Sequence, residues 1–172
     1  IKTPAFVPVG TQGSVKSLSP EELCDIGVDL FFVNTYHVYL RPGIEIIEKL
    51  GGLHRFMNWD RPLITDSGGF QVFSLARPKY SSKHEGEDEK GSLVKISDDG
   101  VEFQSHWDGS KHLFTPENSM EYQWRLGADI HIAFDDCTRS GVSHNDASLS
   151  MERTHRWAVR SLKAHQQLSL RG

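Results

Sequence analysis

Two short stretches carry the side chains that could do chemistry. Thr65-Asp66-Ser67-Gly68-Gly69-Phe70-Gln71 follows the apolar run Leu63-Ile64, so it stands where a buried strand would end. It sets a carboxylate beside two glycines and an aromatic ring. The glycines let the backbone turn sharply and approach a flat ligand closely, the carboxylate can accept or donate a proton, and the ring can cover a planar group. The alternative for the same residues is a plain strand-to-loop turn with Asp66 or Ser67 as an N-cap. The second stretch, Asp135-Asp136-Cys137, closes the apolar run Ile130 to Phe134. Its alternative is an aspartate capping the loop after a strand.

The elements that must position these residues follow from the apolar pattern. Ala5-Phe6-Val7-Pro8-Val9 reads as a strand, weakened by a proline that cannot donate to a ladder. Ser19-Pro20-Glu21-Glu22 opens a helix with an N-cap serine, proline at the first position and glutamate three residues after the cap, and Gly27 closes it. Leu30-Phe31-Phe32-Val33 is a continuous apolar run of the kind covered on both faces, with Asn34 at its end. A helix is predicted from Pro42 to Leu50, with Ile44, Ile47 and Leu50 at spacings of three and Gly51-Gly52 as its stop. Leu63-Ile64-Thr65 makes the third strand.

Residues 77–92 are polar and charged and offer no face to bury, which predicts a mobile insertion loop. Leu93 to Ile96 and Val101 to Ser105, joined by Asp98-Asp99-Gly100, read as a hairpin. Thr115-Pro116-Glu117 repeats the cap-then-proline start of a helix that ends at Gly127, and Ile130 to Phe134 is the fourth strand. Asn145-Asp146 is the predicted cap of a long last helix with Met151, Ala158 and Leu162 on one apolar stripe. Strand then helix, four times over, implies a parallel sheet with right-handed crossovers, either doubly wound or a barrel.

The chain has 172 residues, one domain's worth, and no long apolar run that would span a membrane. Ile1-Lys2-Thr3-Pro4 lacks the basic and apolar regions of a signal peptide, and the missing initiator Met points to a segment of a longer protein. Two cysteines, Cys24 and Cys137, supply neither a disulfide framework nor a four-thiolate zinc site, and a reduced, cytoplasmic setting is expected. A net charge of -4 argues against a surface devoted to nucleic acid, so any RNA-binding patch is local or outside this segment. None of the nine histidines pair at ligand spacing, and no metal site is expected here. Arg153, Arg156, Arg160 and Lys163 follow one side of the last helix, either to meet phosphates or as a solvated outer face. Tyr36-His37 could shape a pocket, or Tyr36 could pack beneath it.

Read in order, Asn34-Thr35-Tyr36-His37 through Leu40-Arg41-Pro42-Gly43, Gly51-Gly52-Leu53-His54 with Phe56-Met57-Asn58-Trp59, and Asp66-Ser67-Gly68-Gly69-Phe70-Gln71 resemble the tRNA-guanine transglycosylases. The likeness runs from Thr3-Pro4 to about His165. It implies a (β/α)8 TIM barrel, for which roughly 250 residues are typical, with this chain as the first four βα units plus an inserted hairpin and loop. The whole of 1–172 would then be the N-terminal part of one catalytic domain. Against the bacterial pattern of that family, the 77–92 loop is an insertion of roughly a dozen residues, where loops usually run about four to six. In a barrel, Asn34, Asp66 and Asp135 each fall at the C-terminal end of a different strand, the rim where such enzymes place their chemistry.

The family exchanges a guanine in tRNA for queuine or a related deazaguanine. Breaking an N-glycosidic bond while keeping the ribose needs a carboxylate on the far side of the anomeric carbon and an acid for the departing purine. By resemblance, Asp66 is the general acid/base residue, and Ser67, Gly68, Gly69 and Phe70 line the base pocket, with Phe70 over the purine. Asp135 would read the guanine edge as an ionised, acceptor-only group, with Cys137 near it. The covalent aspartate nucleophile and the structural zinc site of the family have no match here and are expected in a C-terminal part. The partners so implied are tRNA, a deazaguanine base and a second subunit, in a homodimer or heterodimer. A non-catalytic accessory subunit that docks tRNA or a catalytic partner is the alternative, disfavoured because it has no use for both aspartates.

Overall fold

The computed structural model describes residues 1–75 and 94–171, so the stretch 77–92 lies outside the described residues. Strand β1 (Val9–Gly10) is shorter than the run predicted over Ala5 to Val9. Pro8 has no N–H for a ladder, and only its carbonyl joins in, accepting from Phe32 N at 2.9 Å. Helix α1 (Pro20–Asp25) starts as its sequence predicts: Ser19 Oγ accepts from Glu22 N at 3.2 Å, and Glu22 Oε2 accepts from Ser19 N at 2.7 Å.

Strand β2 (Phe31–Val33) runs directly into α2 (Thr35–Leu40), which no sequence signal announces, before α3 (Ile44–Lys49). Gly51, at φ 93°, ends α3, but the chain re-enters helix at α4 (Gly52–Met57) instead of stopping. Leu53 and Met57, one turn apart, bury α4 against the core. Strand β3 (Leu63–Thr65) leads through the Asp66 loop to α5 (Gly69–Leu75), a second unannounced helix.

The predicted hairpin is a three-stranded sheet: β4 (Val94–Ile96), β5 (Val101–Gln104) and β6 (Lys111–Phe114). Thr115 and Asn118 cap α6 (Pro116–Leu126) reciprocally. Strand β7 (Ile130–His131) is two residues long, although Ile132 N still donates to Thr65 O at 3.2 Å. Ser143, rather than Asn145-Asp146, caps α7 (His144–Ser169). The buried face of α7 is Ser150, Trp157, Ser161 and Ala164, and the predicted stripe fails, with Met151 52% and Leu162 56% exposed.

Strands β1, β2, β3 and β7 form one parallel sheet in that order, with Val33 opposite Thr65 and Thr65 opposite His131. Because neighbouring strands run the same way, the residues after β2, β3 and β7 emerge at one end of the sheet. One apolar cluster packs Leu23, Phe31, Val33, Ile47, Leu53 and Leu63. The other joins Tyr36, Phe103, Phe114, Phe134 and Trp157, and so ties the antiparallel sheet and α7 to α2 and to the loop after β7. Between the layers, the buried Gln123 accepts from Thr65 Oγ1 at 3.0 Å and from Ile132 N at 2.9 Å and donates to Ile132 O at 2.9 Å. One α6 side chain thereby holds the ends of β3 and β7 together.

Candidate active site

Asp66 is held by donors from two loops. Thr35 N and Gly68 N give to Oδ1 at 2.8 and 3.1 Å, and Asn34 Nδ2 gives to Oδ2 at 2.7 Å. Thr35 Oγ1 also donates to the Asp66 carbonyl at 2.6 Å, so the start of α2 is built around this residue. Burial pushes the Asp66 pKa above the ordinary carboxylate value, opposed by the Asn34, Thr35, Gly68 and Gln71 hydrogen bonds. Gln71 Oε1 is buried without a partner among the described residues. His37 faces the same region. Burial, with His106 next in weight, lowers its pKa, and the Asp66 charge partly restores it.

Ser67, next in the chain after Asp66, reaches the second predicted carboxylate. Its hydroxyl accepts from Gly69 N at 3.2 Å and donates to Asp135 Oδ1 at 3.3 Å, while its carbonyl accepts from Ser119 Oγ at 2.7 Å. Cys137 Sγ donates to Asp135 Oδ2 at 3.1 Å. Burial, followed by the adjoining Asp135 carboxylate, pushes the Cys137 thiol up to about 12, so the sulfur is a hydrogen-bond donor and not a thiolate nucleophile. The glycines are required by closeness: a Cβ on Gly69 would stand 3.0 Å from both Asp135 O and Asp135 Oδ1. One on Gly68, at φ 78°, would meet the Phe114 ring at 2.8 Å. Phe70 is 64% exposed beside this constellation, available to a planar ligand.

The structure therefore brings Asp66, Ser67, Gly68, Gly69, Phe70, Asp135 and Cys137 to one end of the parallel sheet. Asp136 goes elsewhere, with its side chain 4% exposed and Arg153 Nη1 at 2.5 Å. Tyr36 is fully buried, its hydroxyl 3.0 Å from His106 Nδ1, and packs beneath the site. In the basic row on α7, Arg153, Arg156 and Arg160 are paired within the chain, while Arg156 and Lys163 are also exposed as a solvated face would have them. Arg156 pairs with Asp98, and Arg160 clamps Glu117 and the Asp98 and Asp99 carbonyls. Ser119 and Gln123 have no part in the sequence reading, and Thr35 and Gln71 stand in its motifs without a role. Ser119 and Gln123 stand four positions apart on α6, and that helical spacing is their local signal. Clefts of about 450 Å³ on the antiparallel sheet and about 330 Å³ beside Phe31 and Trp59 lie away from these carboxylates. A third cleft, of about 410 Å³, is lined by Phe73, Asp136, Cys137 and Arg153 and adjoins the segment that carries Asp135.

Among the described residues no helix is long and apolar enough to cross a membrane. The family model for queuine tRNA-ribosyltransferase matches residues 1–171. The chain is 54% identical over 165 residues to a queuine tRNA-ribosyltransferase of Thermoanaerobacter pseudethanolicus, covering 96% of this chain and 40% of that one. It is 55% identical over 163 residues to that of Syntrophobacter fumaroxidans, covering 95% and 40%. With that of Fusobacterium nucleatum it shares 53% over 173 residues, covering 100% and 42%. The chain thus spans about two fifths of the length of these curated relatives. A parallel sheet with two carboxylates at its strand ends, and a family match along nearly every residue, agree with one another: the chain belongs to the queuine tRNA-ribosyltransferase family of transferases.

Proposed function

We propose that these residues form the base-binding part of a (β/α)8 barrel that exchanges a guanine in the tRNA anticodon for a deazaguanine. The observation that carries this is the Ser67 hydroxyl, on the residue that follows Asp66, donating to Asp135 Oδ1, with the exposed Phe70 three positions on. An ionised carboxylate offers about four lone-pair sites. Ser67 and Cys137 occupy two of those on Asp135. The remaining two suit the ring N–H and exocyclic amine of a guanine, with Phe70 stacked on its face.

Asp66 is the general acid/base. Burial shifts its pKa upward, the direction that favours an acid, and the Asn34, Thr35 and Gly68 donors stabilise the anion left once a proton has passed to the leaving purine. The target guanine must leave its stack to reach the rim. The nucleophile that holds the ribose lies outside this segment, so these residues alone bind the base without completing the exchange. The zinc site implied by the resemblance finds no donor set here: no three His, Cys, Asp or Glu side chains gather among the described residues, and Cys137 is committed to Asp135. The complete protein acts in the cytoplasm on tRNA and pairs with a second subunit.

The test is labelled-guanine exchange into tRNA by the full-length polypeptide. Asp66→Asn is expected to lose about 10²–10⁴-fold in rate, the usual worth of a general acid/base. Exchange equal to wild type would remove Asp66 from the mechanism.

A further inference from the structure

Five α7 side chains on one face grip Phe134 and Asp136, the two residues that flank the base-reading carboxylate. Ser150 Oγ donates to Asp136 O at 2.7 Å, Thr154 Oγ1 accepts from Asp136 N at 3.0 Å, and Arg153 Nη1 donates to Asp136 Oδ2 at 2.5 Å. The Trp157 ring lies 5.0 Å from that of Phe134, and Ser161 Oγ accepts from Phe134 N at 3.3 Å. The contacts alternate along the segment. Phe134 and Asp136 face α7, while Asp135 and Cys137 turn the other way towards Ser67. Two adjacent acids are thereby sorted, one to the ligand side and one to the helix.

Arg153 is central to that sorting. Asp136 has 4% of its side chain exposed, and Arg153 is the cation against it. Without that cation the buried anion would have to escape to solvent, dragging the backbone that carries Asp135. We infer that Arg153 is a positioning residue for base recognition: by holding Asp136 under α7 it sets where the Asp135 carboxylate meets the base. This rests on the proposed exchange reaction.

The experiment is guanine exchange into tRNA by the full-length polypeptide, with KM for guanine and kcat read separately for Arg153→Ala, Arg153→Gln, Arg153→Lys, Asp136→Asn and the double variant Arg153→Ala/Asp136→Asn. Arg153→Ala is expected to raise KM for guanine at least 10-fold, on the order of one lost charged hydrogen bond, with kcat within about threefold of wild type. Asp136→Asn, and the double variant in which no buried anion remains, are expected within about threefold of wild-type KM. An Arg153→Ala KM below 10-fold, a fall confined to kcat, or a double variant no better than Arg153→Ala would overturn the role. A general loss of structure would move kcat and would not be repaired by a second substitution. Should Arg153→Ala fail to fold, Arg153→Gln, which keeps a donor without the charge, decides: a KM raised more than threefold supports the role and a smaller change overturns it, whereas Arg153→Lys, which keeps the cation, is expected to stay closer to wild type than either. Wild-type protein with no exchange would instead sink the proposed reaction itself, and the positioning role with it.

Discussion

Replacing Gly69 by alanine separates the site from the fold. Gly69 opens α5, and its φ lies outside the left-handed region, so alanine suits the backbone and recovers about 0.5–1 kcal/mol of helix stability. Against this, the new Cβ would stand 3.0 Å from Asp135 O and Oδ1 and 3.2 Å from Ser67 Oγ, close enough that those atoms must yield by a few tenths of an ångström. Crowding of this kind costs about 1–3 kcal/mol, so the net stability change is expected within about 2 kcal/mol. Recognition fares worse. The displaced atom is the Asp135 oxygen that takes the Ser67 hydroxyl, and misaligning one charged hydrogen bond to the base forfeits about 1.5–3 kcal/mol. That is about 10- to 100-fold in KM for guanine. Urea denaturation and steady-state exchange kinetics on the same preparation check both halves. A Gly69→Ala protein with wild-type KM would refute the assignment of Asp135 to the base edge. Gly68→Ala should behave in the opposite sense: at φ 78°, with the Phe114 ring 2.8 Å from the new carbon, it should lose at least about 2 kcal/mol of stability.

Three further expectations follow from the same contacts. Burial raises the folded-state pKa of Asp66 above its ordinary 3.8, so the folded protein holds this proton more tightly than the unfolded chain, and stability falls as pH rises from 3.8 through the raised value. Asp66→Asn keeps an oxygen for Thr35 N and Gly68 N while the Asn34 amide turns over. Its melting temperature should exceed wild type at neutral pH by a margin that closes below that window, and an unchanged pH slope in the variant would contradict this. With its thiol pushed up to about 12, Cys137 should react with iodoacetamide at pH 8 at least about 100-fold more slowly than a free thiol of pKa about 8.5. Peptide mapping of the labelled protein reads this, and rapid labelling would contradict the burial argument. Trp157→Phe keeps the ring on Phe134 but loses the 2.8 Å bond from Nε1 to Asp98 O, and should cost about 1–2 kcal/mol in urea denaturation. No loss at all would mean that the antiparallel sheet does not depend on that tie.

What the sequence disclosed was governed by how local each signal is. Ser19 with Glu22, and Thr115 ahead of Pro116, announce α1 and α6 because the cap chemistry lies within three residues. Helices α2, α3 and α4 have N-caps at Asn34, Gly43 and Gly51 with no side-chain cap bond, so nothing local marks where α2 and α4 begin. The last helix misled for a different reason. An apolar stripe was the sensible search, but its inward face is largely serine and threonine, and their partners are backbone atoms of Phe134 and Asp136. At the site, Asp66 and Asp135 stood out at strand ends. The split between Asp135 and Asp136 could not, since it is decided by Arg153, a partner 17 positions away.

Seating a helix on hydroxyls instead of leucines leaves it no freedom to creep. A greasy contact can slide by a fraction of a turn and still exclude water, whereas hydrogen bonds to named carbonyls and amides fit at a single notch. Turning α7 about its axis would release the Ser150, Thr154 and Ser161 bonds at once. Enlarging those small inward residues to aliphatic ones, the customary way to stiffen a protein interior, would therefore loosen the pocket it was meant to protect.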